Sequence, residues 1–428
     1  MRTGKQSAIV VLAVVGCVSA TGQTKPPLDT TTFVVMGEGL AAGMANYGLS
    51  SVVQRYSFPA QMAEQMKTAF AQPLIQPPGI GDVVGYPGQE VMLQTYPQGS
   101  VRQFYQTDPT KKETAPSLFI MNLSVPGLTL ADSVTLRPQP PVAQRNMKQT
   151  VVNMILGFPQ LFLDNVPLWN QFEYAKNMFP TVALVELGYY EALDAAVHGD
   201  PSRLPNPATF GTTYKSVLAG LRAQQTEVIA TTIPNPLDTA YFSSPNTAAA
   251  ITAAIPFVIT AGYGVTNQDY ITRNGLMAIA NQFSDKQIGP LPPGSIMRGA
   301  VAADLTTRVN ALNAQIVTAA RETGAVLYDL NAFLRRIKLS GAIVGSSALT
   351  ADYLGGFYSM DAVYPGSTGH ALIANDILRF LNSTYQVSFP LINPATVAAN
   401  DLALTVVKPR GTVYTPASLN LPMGASTR

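Results

Sequence analysis

Five short runs of β-branched and apolar residues, each closing in a loop, stand out along the chain: "TTFVVMG" (31–37), "SLFIMNLSVPG" (117–127), "TVALVELG" (181–188), "EVIATTIP" (227–234) and "AVLYDL" (325–330). Continuous apolar runs of this length, without polar alternation, predict strands buried on both faces. Between and after them the apolar positions recur at helical spacing, as in "FPAQMAEQMKTAF" (58–70), "TTYKSVLAGLRAQQ" (212–225), "AADLTTRVNALNAQIVTAARETG" (302–324) and "GHALIANDILRFLNSTY" (369–385). Strand and helix in alternation predict an α/β architecture with right-handed crossovers around a parallel sheet. Pro/Gly-rich insertions at 71–89, 136–144 and 286–295 read as ordered surface loops, because apolar residues are spread through them. The tail after Pro390 carries β-branched residues and prolines without a clear element. No repeat and no composition shift marks a linker, so residues 21–428 read as one elaborated domain.

Composition narrows the function. Hydrophobic residues make up 47% of the 428 and charged ones only 12%, with a formal net charge of +2. That balance gives no reason to expect nucleic acid as a partner, and the pairs Lys111-Lys112 and Arg335-Arg336 read as solvated loop and helix charges. The first 20 residues have the form of an export signal: Arg2 and Lys5, then the apolar "AIVVLAVVG" (8–16), too short to span a bilayer. "VSA" (18–20) suits ordinary cleavage with a mature start near Thr21. "VVGC" (14–17) suits a bacterial lipoprotein box instead, with Cys17, the one cysteine of the chain, as lipidated first residue and membrane anchor. Either way export is expected, to periplasm, outer membrane or medium, with no disulfide and no later transmembrane run.

"GEGLAAG" (37–43) matches G-x-G-x-x-G at the end of the first strand run. A dinucleotide site needs a helix there, then a second strand ending in an acid about 20 residues on. "NYGLSS" (46–51) interrupts the helix, and the next strand run begins near Ser117. A dinucleotide cofactor is excluded on that ground, and no other cofactor is implied.

The strand-end text resembles the SGNH (GDSL-type) family of ester hydrolases over nearly the whole mature chain. "VVMGEGLAAG" resembles its first block, "NLSVPGLTLAD" (122–132) its second, "VELGYYEALDAAVHGD" (185–200) its third and "GGFYSMDAVYPGSTGHALIAN" (355–375) its last. The resemblance implies a three-layer α/β/α sandwich with a five-stranded parallel sheet, flavodoxin-like in its layering. It also implies where the chemistry of a lipase or acylhydrolase would sit, and there the chain departs from the pattern. Gly39 stands at the nucleophilic serine, after Glu38 in place of aspartate; Tyr190 stands at the oxyanion-hole asparagine and Tyr364 at the catalytic histidine. Gly127, an oxyanion-hole amide, and Asp361, the partner of the histidine, match.

Acyl transfer by that route needs an attacking oxygen, a base near neutrality and preorganised oxyanion donors. Gly39 has no oxygen to offer, and a phenol with a pKa of about 10 is a poor base at Tyr364. Replacement is scarce, because the chain has two histidines. His370, at the start of the last helix, suits capping or packing, and His198 a helix end. Ser124 and Ser50-Ser51 lack a nucleophile context. No His/Cys/carboxylate spacing predicts a metal site. Glu38, Glu191 and Asp361 converge on strand-end loops; paired acids can cleave glycosides, although a polar rim with Asp361 bonded to backbone amides is the commoner arrangement. Glu38, Tyr189, Tyr190, Glu191, Asp361 and Tyr364 are expected to line a pocket suited to a lipid- or glycan-like ligand. The expectation is therefore an exported hydrolase-like protein impaired as a serine esterase. An active hydrolase with displaced residues, or a structural envelope lipoprotein, stand as alternatives.

Overall fold

The structure, a computed structural model, describes residues 25–77, 79–80, 119–142, 145–161 and 165–405. The expected signal segment, Cys17 and Lys111-Lys112 lie outside those residues. Four of the five apolar runs form a parallel sheet: β1 (Phe33–Met36), β2 (Val182–Val185), β3 (Glu227–Thr231) and a later strand, β7 (Val326–Tyr328). They lie in the order β1-β2-β3-β7, with Phe33 opposite Val182, Val182 opposite Glu227 and Ile229 opposite Val326. Every residue of β1 and β2 is buried, as an unalternating run requires when both faces are covered.

The expectation of a fifth strand is corrected. The run 117–127 contributes a single parallel bridge, Asn122 to Val35, on the free side of β1. Leu123 N–H donates to Val35 O and Val35 N–H to Met121 O, both at 2.9 Å. The Asn122 side chain then turns onto its surroundings, accepting the Ser124 N–H and donating to Ala41 O. Pro126 has no N–H to continue a ladder.

The predicted helices are present with shifted ends. Phe58–Met66 begins on the Ser57 side chain, which accepts the Ala60 N–H, and stops at Lys67, whose φ of 56° is left-handed. Pro207–Arg222 begins on Asn206 with Pro207 in its first turn. Gly299–Thr323 packs along Pro207–Arg222, and Ser367–Tyr385 packs on Phe58–Met66. One contiguous apolar core runs through these elements from Leu28 to Tyr385.

Sequence patterning missed three features. Between β3 and β7 the chain inserts a small antiparallel sheet of β4 (Phe242–Ser243), β5 (Tyr270–Thr272) and β6 (Ile296–Met297). A hairpin of β8 (Ala342–Val344) and β9 (Ser347–Leu349) follows β7. After Pro390, short helices form at Pro394–Ala398 and Leu402–Thr405. Strands of two or three residues and helices of four or five carry too little periodicity to be read. Among the described residues no helix is long and apolar enough to cross a membrane.

Candidate functional site

The carboxyl ends of the parallel strands open into the loops that carry the candidate residues. After β1, Glu38 caps a one-turn helix, Gly39–Ala42, its Oε2 accepting the Gly39 N–H at 2.7 Å. After β2, Glu186 ends the strand, and its Oε2 accepts the N–H groups of Glu38 (3.4 Å) and Ala41 (3.3 Å). The helix Tyr189–Val197 then sets Glu191 to accept the Leu130 N–H at 2.7 Å, which ties it to the loop after Gly127. Asp361 gathers three amides, from Val363 (2.9 Å), Tyr364 (2.8 Å) and Tyr47 (3.3 Å). Glu186, Glu191 and Asp361 each staple one segment to another through backbone N–H groups, while Glu38 caps its own helix.

The central observation concerns Gly39 and Tyr364. Tyr364 is 1% exposed. A β-carbon at Gly39 would lie 2.5 Å from its hydroxyl oxygen and 2.7 Å from its Cζ. The phenol thus fills the space that any side chain at position 39 would need. Glycine is required there by close approach.

The predicted residues are brought to one end of the sheet, but they face inward. Glu38, Tyr189, Asp361 and Tyr364 are buried, Glu191 nearly so, while Tyr190 and Gly127 are half-buried. Gly127 has a φ of +80°, and a β-carbon there would meet only Tyr190 Cε2, at 4.0 Å. Lys148 lies over the Tyr190 ring, 5.7 Å from its centroid, and pairs with Asp132 at 2.8 Å.

Burial dominates the electrostatics. It pushes Glu38 up to about 8, against the pull of the Gly39 N–H and with a further push from Glu191. It raises Glu191 to about 7, partly offset by the Leu130 N–H. Burial and the neighbouring Glu38 hold Glu186 well above the usual carboxylate range. Burial also raises Asp361, despite its three amides. Tyr364 and Tyr189 are pushed far above an ordinary phenol, by burial first and nearby acidic groups second. Burial therefore favours the protonated form of Glu38, whose Oε2 accepts from Gly39 while Oε1 has no hydrogen-bond partner.

The histidines complete the picture. His370 is buried and stacked 6.2 Å from Phe58; neither ring nitrogen has a partner, and burial lowers its pKa to about 3. His198 is exposed, with Nδ1 2.8 Å from Asp194 O at its helix end. Among the described residues no Ser or Thr hydroxyl bonds to either ring, and the Ser124 hydroxyl is itself buried without a partner. Among the described residues no group of three His, Cys, Asp or Glu side chains could hold a metal.

Glu186 was missed by reasoning from the sequence, although one signal marks it: an acid directly ending the buried run "VALV" and followed by a glycine turn. A charged group in that position must find donors at the strand end.

Neither protein-family models nor curated proteins match the chain. Among solved structures the chain is similar to phospholipase A1 from Streptomyces albidoflavus NA297, at 12% identity over 83% of this chain and 100% of that one, with a TM-score of 0.34.

Proposed function

We propose that this chain is an exported protein on an SGNH-hydrolase-like scaffold, no longer a serine esterase, that binds a lipid- or glycan-like ligand. Two features support the scaffold. The four strand-end blocks stand where the family text resembles them, and the 121–125 segment runs parallel beside β1, extending the order β1-β2-β3-β7 as flavodoxin-like layering would. Export rests on the charged start and apolar run of the first 20 residues.

The Gly39–Tyr364 contact carries the loss of activity. Acyl transfer needs an oxygen at that strand end and an imidazole to deprotonate it. A buried phenol with a strongly raised pKa supplies neither. The paired-acid route is disfavoured as well, because Glu38 is fully buried and Glu191 is committed to the Leu130 amide. What stays accessible is the half-buried rim of Tyr190 and Gly127, an aromatic surface beside the Lys148–Asp132 pair. Aromatic rings with polar flanks suit sugars and amphipathic lipids.

The test is incubation of the purified protein with p-nitrophenyl butyrate and octanoate, alongside a fluorophosphonate followed by intact mass. Release at the rate of a heat-denatured sample, with no mass gain, is the expected result. Turnover above that sample, or one stoichiometric adduct, would establish an active hydrolase with displaced residues instead.

A further inference from the structure

The insertion between β3 and β7 carries a second surface, independent of the strand-end site. From Thr239 to Gln268, 30 residues pass without a single Asp, Glu, Lys, Arg or His, the longest such stretch in the chain. Such a stretch in the interior would be unremarkable, but this one reaches the surface. The helix Pro245–Thr252 ends at Ala253, whose φ of 54° is left-handed, and the chain turns outward through Ile255-Pro256-Phe257. Ile255 is 63% exposed and Phe257 74% exposed. Buried Ala254 and Ile259 anchor the turn on either side, so its two large side chains are held outward by their neighbours.

The exposed arc continues through Ala261 and Gly262 to half-buried Tyr263, whose hydroxyl donates to Gln282 Oε1 at 2.9 Å. Gly262 and Tyr263 line an open cavity of about 610 Å³ together with Ile288, Leu291 and Arg298. Ile288 is a third exposed large apolar side chain, at 57%. The stretch itself carries no charge, and the charged residues beside the cavity lie next to ones of opposite sign. Arg298 pairs with Asp269 at 3.0 Å, and exposed Lys286 neighbours exposed Asp285.

We propose that this arc seats on a lipid surface of zwitterionic headgroups, with Ile255 and Phe257 entering the acyl boundary. The charge pattern selects the occupant. An uncharged apolar wedge avoids the cost of carrying a charge into hydrocarbon, and a half-buried tyrosine beside it suits the headgroup level. The balanced border gives no attraction to an anionic membrane. From Ala253 to Ile259 every side chain is apolar, so the wedge offers a protein partner no side-chain hydrogen bond, where an interface carries about one per 100–200 Å².

A local reporter tests this in the full chain, so that an N-terminal anchor cannot mimic the result. Phe257→Trp is made in a Trp169→Phe background, with Phe179→Trp, another exposed phenylalanine at 71%, as reference. On adding phosphatidylcholine vesicles, Trp emission at 257 should shift to the blue and be quenched by brominated acyl chains, while Trp emission at 179 stays aqueous. Ile255→Asp and Phe257→Asp should each weaken vesicle partitioning about tenfold or more. Water-like emission at 257 with vesicles present overturns the proposal. A blue shift that grows with protein concentration without lipid also overturns it, by assigning the arc to a second copy of the chain. So does binding that appears only with phosphatidylglycerol.

Discussion

The two ends of the parallel sheet treat the same functional group in opposite ways. At the amino end, Glu227 opens β3 among partners of opposite sign: Lys25 and Arg222 pair with it, and the Tyr385 hydroxyl donates to it at 2.6 Å. Burial pushes its pKa up, but the bonds from Lys25 and Tyr385 outweigh that and hold it below the usual range. At the carboxyl end, Glu38, Glu186 and Glu191 accept from backbone amides, and all three are raised. An acid given cations serves as a charged clamp. An acid given only amides inside a core serves as a neutral staple, and a site built of such staples is organised for packing more than for turnover.

The largest effect expected at the carboxyl end comes from the Gly39–Tyr364 pair. Tyr364→Ala empties a buried phenol site and should cost about 3–5 kcal/mol in urea unfolding, the range for large aromatic truncations. Gly39→Ala should cost about 1–3 kcal/mol alone, since the methyl group meets the buried Tyr364 ring at under 3 Å. In the Tyr364→Ala background the same change should cost little. A double-mutant cycle reads the coupling directly, and additive costs would show that the phenol does not own that space.

The next effect is a pH dependence. Burial pushes Glu38 up to about 8 in the folded chain, whereas an unfolded glutamate titrates near 4.5. Between those values the folded state binds more protons, so this contribution is complete below pH 4.5 and is lost as pH rises toward 8. Stability against thermal unfolding should therefore fall from pH 5.5 to 8.5, by an amount on the order of 3 kcal/mol from this group. Glu38→Gln keeps an oxygen for the Gly39 N–H and puts an amide at the partnerless Oε1 position. It should remove the Glu38 share of that slope, leaving those of Glu186, Glu191 and Asp361. An unchanged slope would remove Glu38 from the account.

Much of this edge was legible in the sequence because strands advertise themselves. β1, β2, β3 and β7 follow from unbroken apolar runs; Glu38 comes directly after the first run, and Glu191 falls in the first turn of the helix after the second. The amide-bonded state of Asp361 was also legible, since an acid in a tight turn finds its own backbone first. Two things were not. The Gly39–Tyr364 contact joins residues far apart in the chain, and neither residue type announces the other. The inward orientation of the cluster depends on how four loops close over it, which no local pattern encodes. The insertion was missed for a different reason: its strands are two or three residues long, and its charge-free stretch looks like core until its exposure is known.

The smallest effect provides the sharpest contrast, because it uses the same substitution at the other end of the sheet. Glu227 has a lowered pKa, so its stabilisation is present above the unfolded value and is lost as pH falls through the folded one. Its side chain is 21% exposed and that of Lys25 35%, so water and salt screen the pairing. Glu227→Gln should then cost about 1 kcal/mol at pH 7, less in high salt, and nothing once the wild-type acid is protonated. At pH 8.5 the two Glu→Gln changes should have opposite signs. Neutralising Glu227 strips Lys25 and Arg222 of their shared partner and destabilises, whereas neutralising Glu38 removes an unpaired buried charge and stabilises. Urea midpoints of both variants measured in one buffer at that pH decide it, and a shared sign would mean that the two ends of the sheet are not electrostatic opposites.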